Sequence, residues 1–123
     1  MNVYIIGNSL IPEDSAPVRL LPDLRSRFPQ VSFIEADPNE NFIPEDGSII
    51  IDTVKGITAP QWFTDIIQFE QTRSVSPHDY DLVLHIRLLL KLKKITRIRI
   101  LGIPAEGSPE NVFRMLRTYL SAE

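Results

Sequence analysis

An α/β fold, built as a three-layer sandwich with helices on both faces of a mainly parallel, twisted sheet, follows from three features of the sequence. Short apolar runs at residues 3–6 (VYII), 31–36 and 49–51 (III) are hydrophobic largely on successive residues, as in strands buried on both faces. Segments with helical spacing separate them, which calls for crossover connections and parallel pairing. The 123 residues, 43% hydrophobic and 24% charged, suit one domain spanning 1–123 with a core of its own.

Each element has its own signal. The first run stops at Gly7-Asn8, a strand ending in a turn. Pro17 suits a first helical turn, and Val18, Leu20, Leu21, Leu24 and Phe28 keep helical spacing until Pro29, although Pro22 removes an interior hydrogen bond. After the second run, DPNENFIPEDGS is a polar, turn-rich loop into the third. Residues 62–70 (WFTDIIQFE) read as a further strand, at an antiparallel or edge position. A helix is expected over 77–94, with Leu82, Ile86, Leu89 and Leu90 at core spacing and lysines at its end. A strand is expected over 95–103, then a turn at Gly102, Ser108 as N-cap and Pro109 at N1 of a closing helix to about Ser121.

Composition narrows the function classes. A net charge of −3 and a pI near 5.4 provide no positive field for nucleic acid. The single basic cluster, Lys91, Lys93, Lys94, Arg97 and Arg99, spans a helix end and the following strand, where cations complement the helix dipole. With no cysteine there is no disulfide, thiolate metal site or cysteine nucleophile, which fits a reducing cytoplasm. MNVYIIGNSL lacks a basic n-region and cleavage site, and no apolar run approaches the ~18 residues of a membrane span.

Common catalytic motifs fail. The dinucleotide fingerprint needs three glycines where only Gly7 stands, and no Walker loop occurs. Gly7-Asn8-Ser9 is half a nucleophile elbow, with Ile11 in place of the second glycine. His78 and His85 lie seven apart, about 10 Å along a helix axis, too far to share an ion.

Ligands of open parallel sheets bind beyond the carboxyl ends of the strands. The polar groups expected there are Asn8, Glu13 and Asp14 after the first strand, Asp52 after the third, and His78 at the start of the long helix. Each has a structural alternative: capping for Glu13 and Asp14, satisfying strand-end donors for Asp52. An imidazole at a helix N-terminus leans neutral, the form that ligates metals. Two carboxylates and one imidazole suit nickel, zinc, iron or manganese and leave coordination positions open.

GNSLIPEDSAPVRLLPDL after the first strand, IIIDTV at the third, SPHDYDL at the helix start and IRILGIPAE at the later strand, in this order, resemble the hydrogenase maturation endopeptidases over residues 3–106. The resemblance implies that Asp14, Asp52 and His78, with Glu13 as the adjacent acidic alternative, bind nickel and serve catalysis. It implies an endopeptidase that recognises metal already inserted in the hydrogenase large-subunit precursor and removes its C-terminal extension, so the nickel arrives with the substrate. A related metalloenzyme precursor as partner, another divalent metal, a non-catalytic metal-dependent chaperone or binding module, and a monomeric state complete the expectations. The sequence departs from the family pattern at Ser15-Ala16-Pro17, where Gly-x-Gly is usual, and at Asp37-Pro38-Asn39-Glu40. The first loop and the choice of partner are expected to differ accordingly.

Overall fold

The computed structural model describes residues 1–7, 15–37, 42–72 and 77–121, the side chains of 77–81 excepted. Its elements, in chain order, are β1 (Asn2–Ile6), α1 (Ala16–Arg27), β2 (Ser32–Ala36), β3 (Ile49–Thr53), β4 (Gln61–Phe63), α2 (Ile66–Thr72), α3 (Pro77–Lys91), β5 (Ile100–Ile103) and α4 (Glu110–Ser121). The strands form one sheet in the order β2-β1-β3-β5-β4, parallel except for the antiparallel β4–β5 pair at the edge. The expected three-layer architecture is therefore the one observed.

Successive strand residues are apolar because each face of the sheet has its own cover. Val3, Ile5, Ile49, Ile51, Leu101 and Ile103 pack with α1 and α4 residues such as Leu24, Phe113 and Leu116. Tyr4, Ile6, Ile50, Val54 and Ile100 turn the other way and pack with Phe69 of α2 and Leu82, Val83, Ile86 and Leu89 of α3. β2 is an edge strand, and its Ile34 is 39% exposed.

Two expected strands are shorter than the sequence suggests. Only Gln61–Phe63 of the WFTDIIQFE segment pairs with β5, and the remainder turns into α2. Asp65 drives that switch, because its Oδ1 accepts the Ile67 N–H at 2.9 Å and its carbonyl accepts the Phe69 N–H at 3.1 Å. Ladder pairing of the last parallel strand begins only at Ile100, although the Arg99 carbonyl already accepts from Ile50 N–H at 2.9 Å. Residues 95–99 are irregular, with Ile95 and Ile98 buried against the α3 layer.

The helix expected to reach Lys94 closes at Lys91. Lys93 adopts φ 60°, its N–H bonding the Leu90 carbonyl at 3.1 Å, while Lys94 N–H bonds the Leu89 carbonyl at 2.9 Å. This is a Schellman closure with lysine in the place usually held by glycine. Ser108 caps α4 as expected, its hydroxyl accepting from Glu110 N–H at 3.3 Å, and α1 continues through Pro22, which is exposed.

The irregular segment before β5 is held by Asp46. The Thr96 hydroxyl and the backbone N–H groups of Thr96 and Arg97, the latter two at 3.1 Å, donate to its carboxylate. These bonds, led by the Thr96 hydroxyl, hold the Asp46 carboxyl below its ordinary value. A carboxyl whose folded-state pKa is depressed stabilises above its unfolded value near 4 and loses that contribution as pH falls through the folded value. In urea titrations from pH 6 down to pH 3, the wild type is therefore expected to lose more stability than Asp46→Asn; equal acid slopes would remove this role.

Candidate functional site

From β1 the chain passes to β2 on one side of the sheet and then returns to β3 on the other side of β1. The carboxyl ends of β1 and β3 are thus the topological switch point, where a crevice opens in sheets of this kind.

Asp52 stands at that point. It is the fourth residue of β3, in register with Gly102 of β5, and only 2% exposed. Strand alternation places it on the α2/α3 face, between Ile50 and Val54 of that cluster. Its Oδ1 accepts the Thr53 N–H at 2.9 Å, the structural service expected of an acid at a strand end.

α3 brings the second residue to the same edge. Its C-terminus leads through residues 92–99 into the start of β5, so the helix runs back over the sheet and begins near the strands' carboxyl ends. Its 15 residues span about 22 Å. Position 78 falls in the same helical row as Leu82 and Ile86, four and eight residues on, the row buried against the sheet. The His78 side chain lies outside the described residues, as do Asn8, Glu13 and Asp14, which fall in the segment between Gly7 and Ser15. Among the described residues no group of three His, Asp or Glu side chains forms a metal cluster.

His85 has a different job. Its ring stacks on Phe42 with centroids 5.8 Å apart, and its Nε2–H donates to the Phe42 carbonyl. That nitrogen is engaged in fixing the loop before β3 to α3.

On the opposite face, the same sheet edge carries features that sequence reasoning missed. An open cleft of about 860 Å³ lies between the start of α1 and the β5–α4 loop, walled by Leu20, Ile103, Pro104 and Val112 and carrying the charges of Arg19 and Glu106. Arg19 bridges the two walls, donating from Nε to Ser15 Oγ at 3.0 Å and from Nη2 to the Ala105 carbonyl at 3.4 Å. The Ser15 hydroxyl makes no cap bond to its own helix. Thr53, one residue beyond Asp52 and in register with Ile103, is 3% exposed, and its hydroxyl has no partner among the described residues. The only sequence signal was the pairing of Ser15 with Arg19 one helical turn on, which reads as an ordinary surface pair.

No family model matches the sequence, and no curated protein matches it. Solved structures do match in fold. The hydrogenase maturating endopeptidase HybD from Escherichia coli aligns over 85% of this chain and 74% of its own, at 15% identity and a TM-score of 0.52. The solution structure of an endopeptidase from Escherichia coli aligns over the same shares at 15% identity and a TM-score of 0.57. An uncharacterised protein from Wolinella succinogenes aligns over 90% of this chain and 76% of its own, at 20% identity and a TM-score of 0.53. At these identities the relation is one of fold, and the α/β architecture is that of the HybD-like structures.

Proposed function

We propose that this chain is a cytoplasmic endopeptidase that removes the C-terminal extension of a nickel-containing hydrogenase large-subunit precursor or a related metalloenzyme precursor. Asp14, Asp52 and His78 recognise the nickel carried by that substrate. The observation that carries the reading is Asp52, a carboxylate 2% exposed at the carboxyl end of a central strand, at the sheet edge where α3 begins. The likeness in fold to structures described as endopeptidases supports it.

The donor set fits such an ion. Two carboxylates and an imidazole are acceptable to nickel and leave positions for groups of the precursor. Bound there, the metal supplies Lewis-acid chemistry near the scissile bond. The chain's own residues supply orientation: Asp52 is fixed by its strand and by the Thr53 N–H, and position 78 by the buried row of α3. The cleft beside Arg19 provides mixed apolar and charged walls at the same edge for an extended segment of substrate.

The test is incubation of the protein with nickel-loaded precursor, followed by intact-mass spectrometry. The expected result is a mass decrease equal to the C-terminal extension, with no cleavage of metal-free precursor. Tight complex formation without any loss of mass would instead assign the fold to a non-catalytic, metal-dependent binding module.

A further inference from the structure

The outer face of α3 carries an apolar row that none of the described residues covers. Leu84 and Leu88 of α3, and Leu92 just past its end with its N–H still bonded to the Leu88 carbonyl, stand four residues apart at 59%, 52% and 57% exposure. Single exposed leucines are ordinary, whereas a continuous row on one helix is a packing ridge. Rows at i±4n are the ridges that interdigitate when two helices cross at about −50°, the commonest class of helix packing.

We propose that this ridge joins two copies of the chain, with α3 packed antiparallel on α3 about a two-fold axis at Leu88. The row is symmetric about that residue, so the axis sets Leu88 against itself and Leu84 against Leu92 of the second copy, the self-complementary pattern of a two-fold contact. The charges agree. In sequence, α3 opens with Asp79 and Asp81, whereas Lys91, Lys93 and Lys94 mark its end and the turn beyond. Antiparallel packing brings each acidic end toward the other's basic end and opposes the helix dipoles. Arg87, the cation nearest the axis, is already neutralised by its ion pair with Glu70 of α2, which removes the like-charge contact it would otherwise make with its symmetry mate.

Three half-exposed leucine side chains bury at most a few hundred Å² per protomer, below the roughly 800 Å² of a standard interface. The dimer is therefore weak and concentration dependent. Position 78 lies in the opposite, inward row of α3, so the pairing leaves both candidate sites open.

The test uses sedimentation velocity and cysteine cross-linking in a chain that has no cysteine of its own. The wild-type mass is expected to rise from 14.0 kDa toward twice that value as the protein is concentrated, and Leu88→Asp is expected to stay monomeric. Under mild oxidation Leu88→Cys should cross-link to itself. Leu84→Cys and Leu92→Cys should cross-link only when mixed, because each lies about 6 Å along the helix from the axis and about 12 Å from its own mate. A wild type that stays at 14.0 kDa at every concentration, or a Leu84→Cys variant that pairs with itself as readily as Leu88→Cys does, overturns the proposal. So does a monomeric wild type whose precursor cleavage is lost in Leu88→Asp, which would give the ridge to the precursor instead.

Discussion

Gly102→Ala is expected to destabilise the protein by about 2–3 kcal/mol, the upper part of the range for overpacking a filled core. A methyl group at this position would stand 2.7 Å from Val54 Cγ2 and 2.8 Å from Phe63 Cε2. Both side chains are fully buried, so neither can swing into solvent to make room. Gly102 is the one β5 residue paired with both Asp52 of β3 and Gln61 of β4, and its missing side chain lets the Phe63 ring lie over the strand. A urea midpoint lowered accordingly, with unchanged slope, is the expected reading. Because Val54→Ala removes the contacting methyl groups, the double variant should lose less stability than the sum of the two single variants. Strict additivity would show that the clash with Val54 is not the cause.

The second large effect concerns chemistry rather than folding. Asp52→Asn retains the shape of the side chain and an oxygen that can accept the Thr53 N–H, so the fold is expected to survive. Its carboxylate charge is gone, and cleavage of nickel-loaded precursor should fall by more than ~100-fold, since even outer-shell changes at metal sites cost 10–100-fold. His78→Ala is expected to match it. Wild-type rates in either variant, measured beside an unchanged circular dichroism spectrum, would return these residues to a purely structural role.

The elements carried by continuous apolar runs were readable in the sequence because burial on both faces writes itself as consecutive Val, Ile and Leu. Ile49, Ile50 and Ile51, all 2% exposed or less, are the plainest instance. The misreadings fell where a local signal competed with hydrophobicity. In WFTDIIQFE, Trp62 and Phe63 read as strand and the Ile66-Phe69 spacing as helix, and Asp65 is the cap that divides them. In the ITRIRILGI stretch, the polar and apolar alternation of the early residues mimics a half-buried strand. The structure uses Ile95 and Ile98 as anchors for an irregular segment that Asp46, fifty residues earlier, ties down. No local reading reveals such a partner.

At the candidate site, Asp52 was legible as the first polar residue after an isoleucine run, and its burial at the switch point is a tertiary fact added by the sheet order. The cleft beside Arg19 escaped the sequence because its walls, the start of α1 and the β5–α4 loop, are some ninety residues apart and meet only through the pairing of β1 and β5 with β3.

The most direct test of the account is calorimetric titration of the protein with nickel, and with cadmium as a spectroscopically silent substitute, in wild type and in Asp14→Ala, Asp52→Ala and His78→Ala. Three ligands converging on one ion predict a single site that each substitution weakens by at least ~10-fold. Binding that survives all three substitutions unchanged would contradict it.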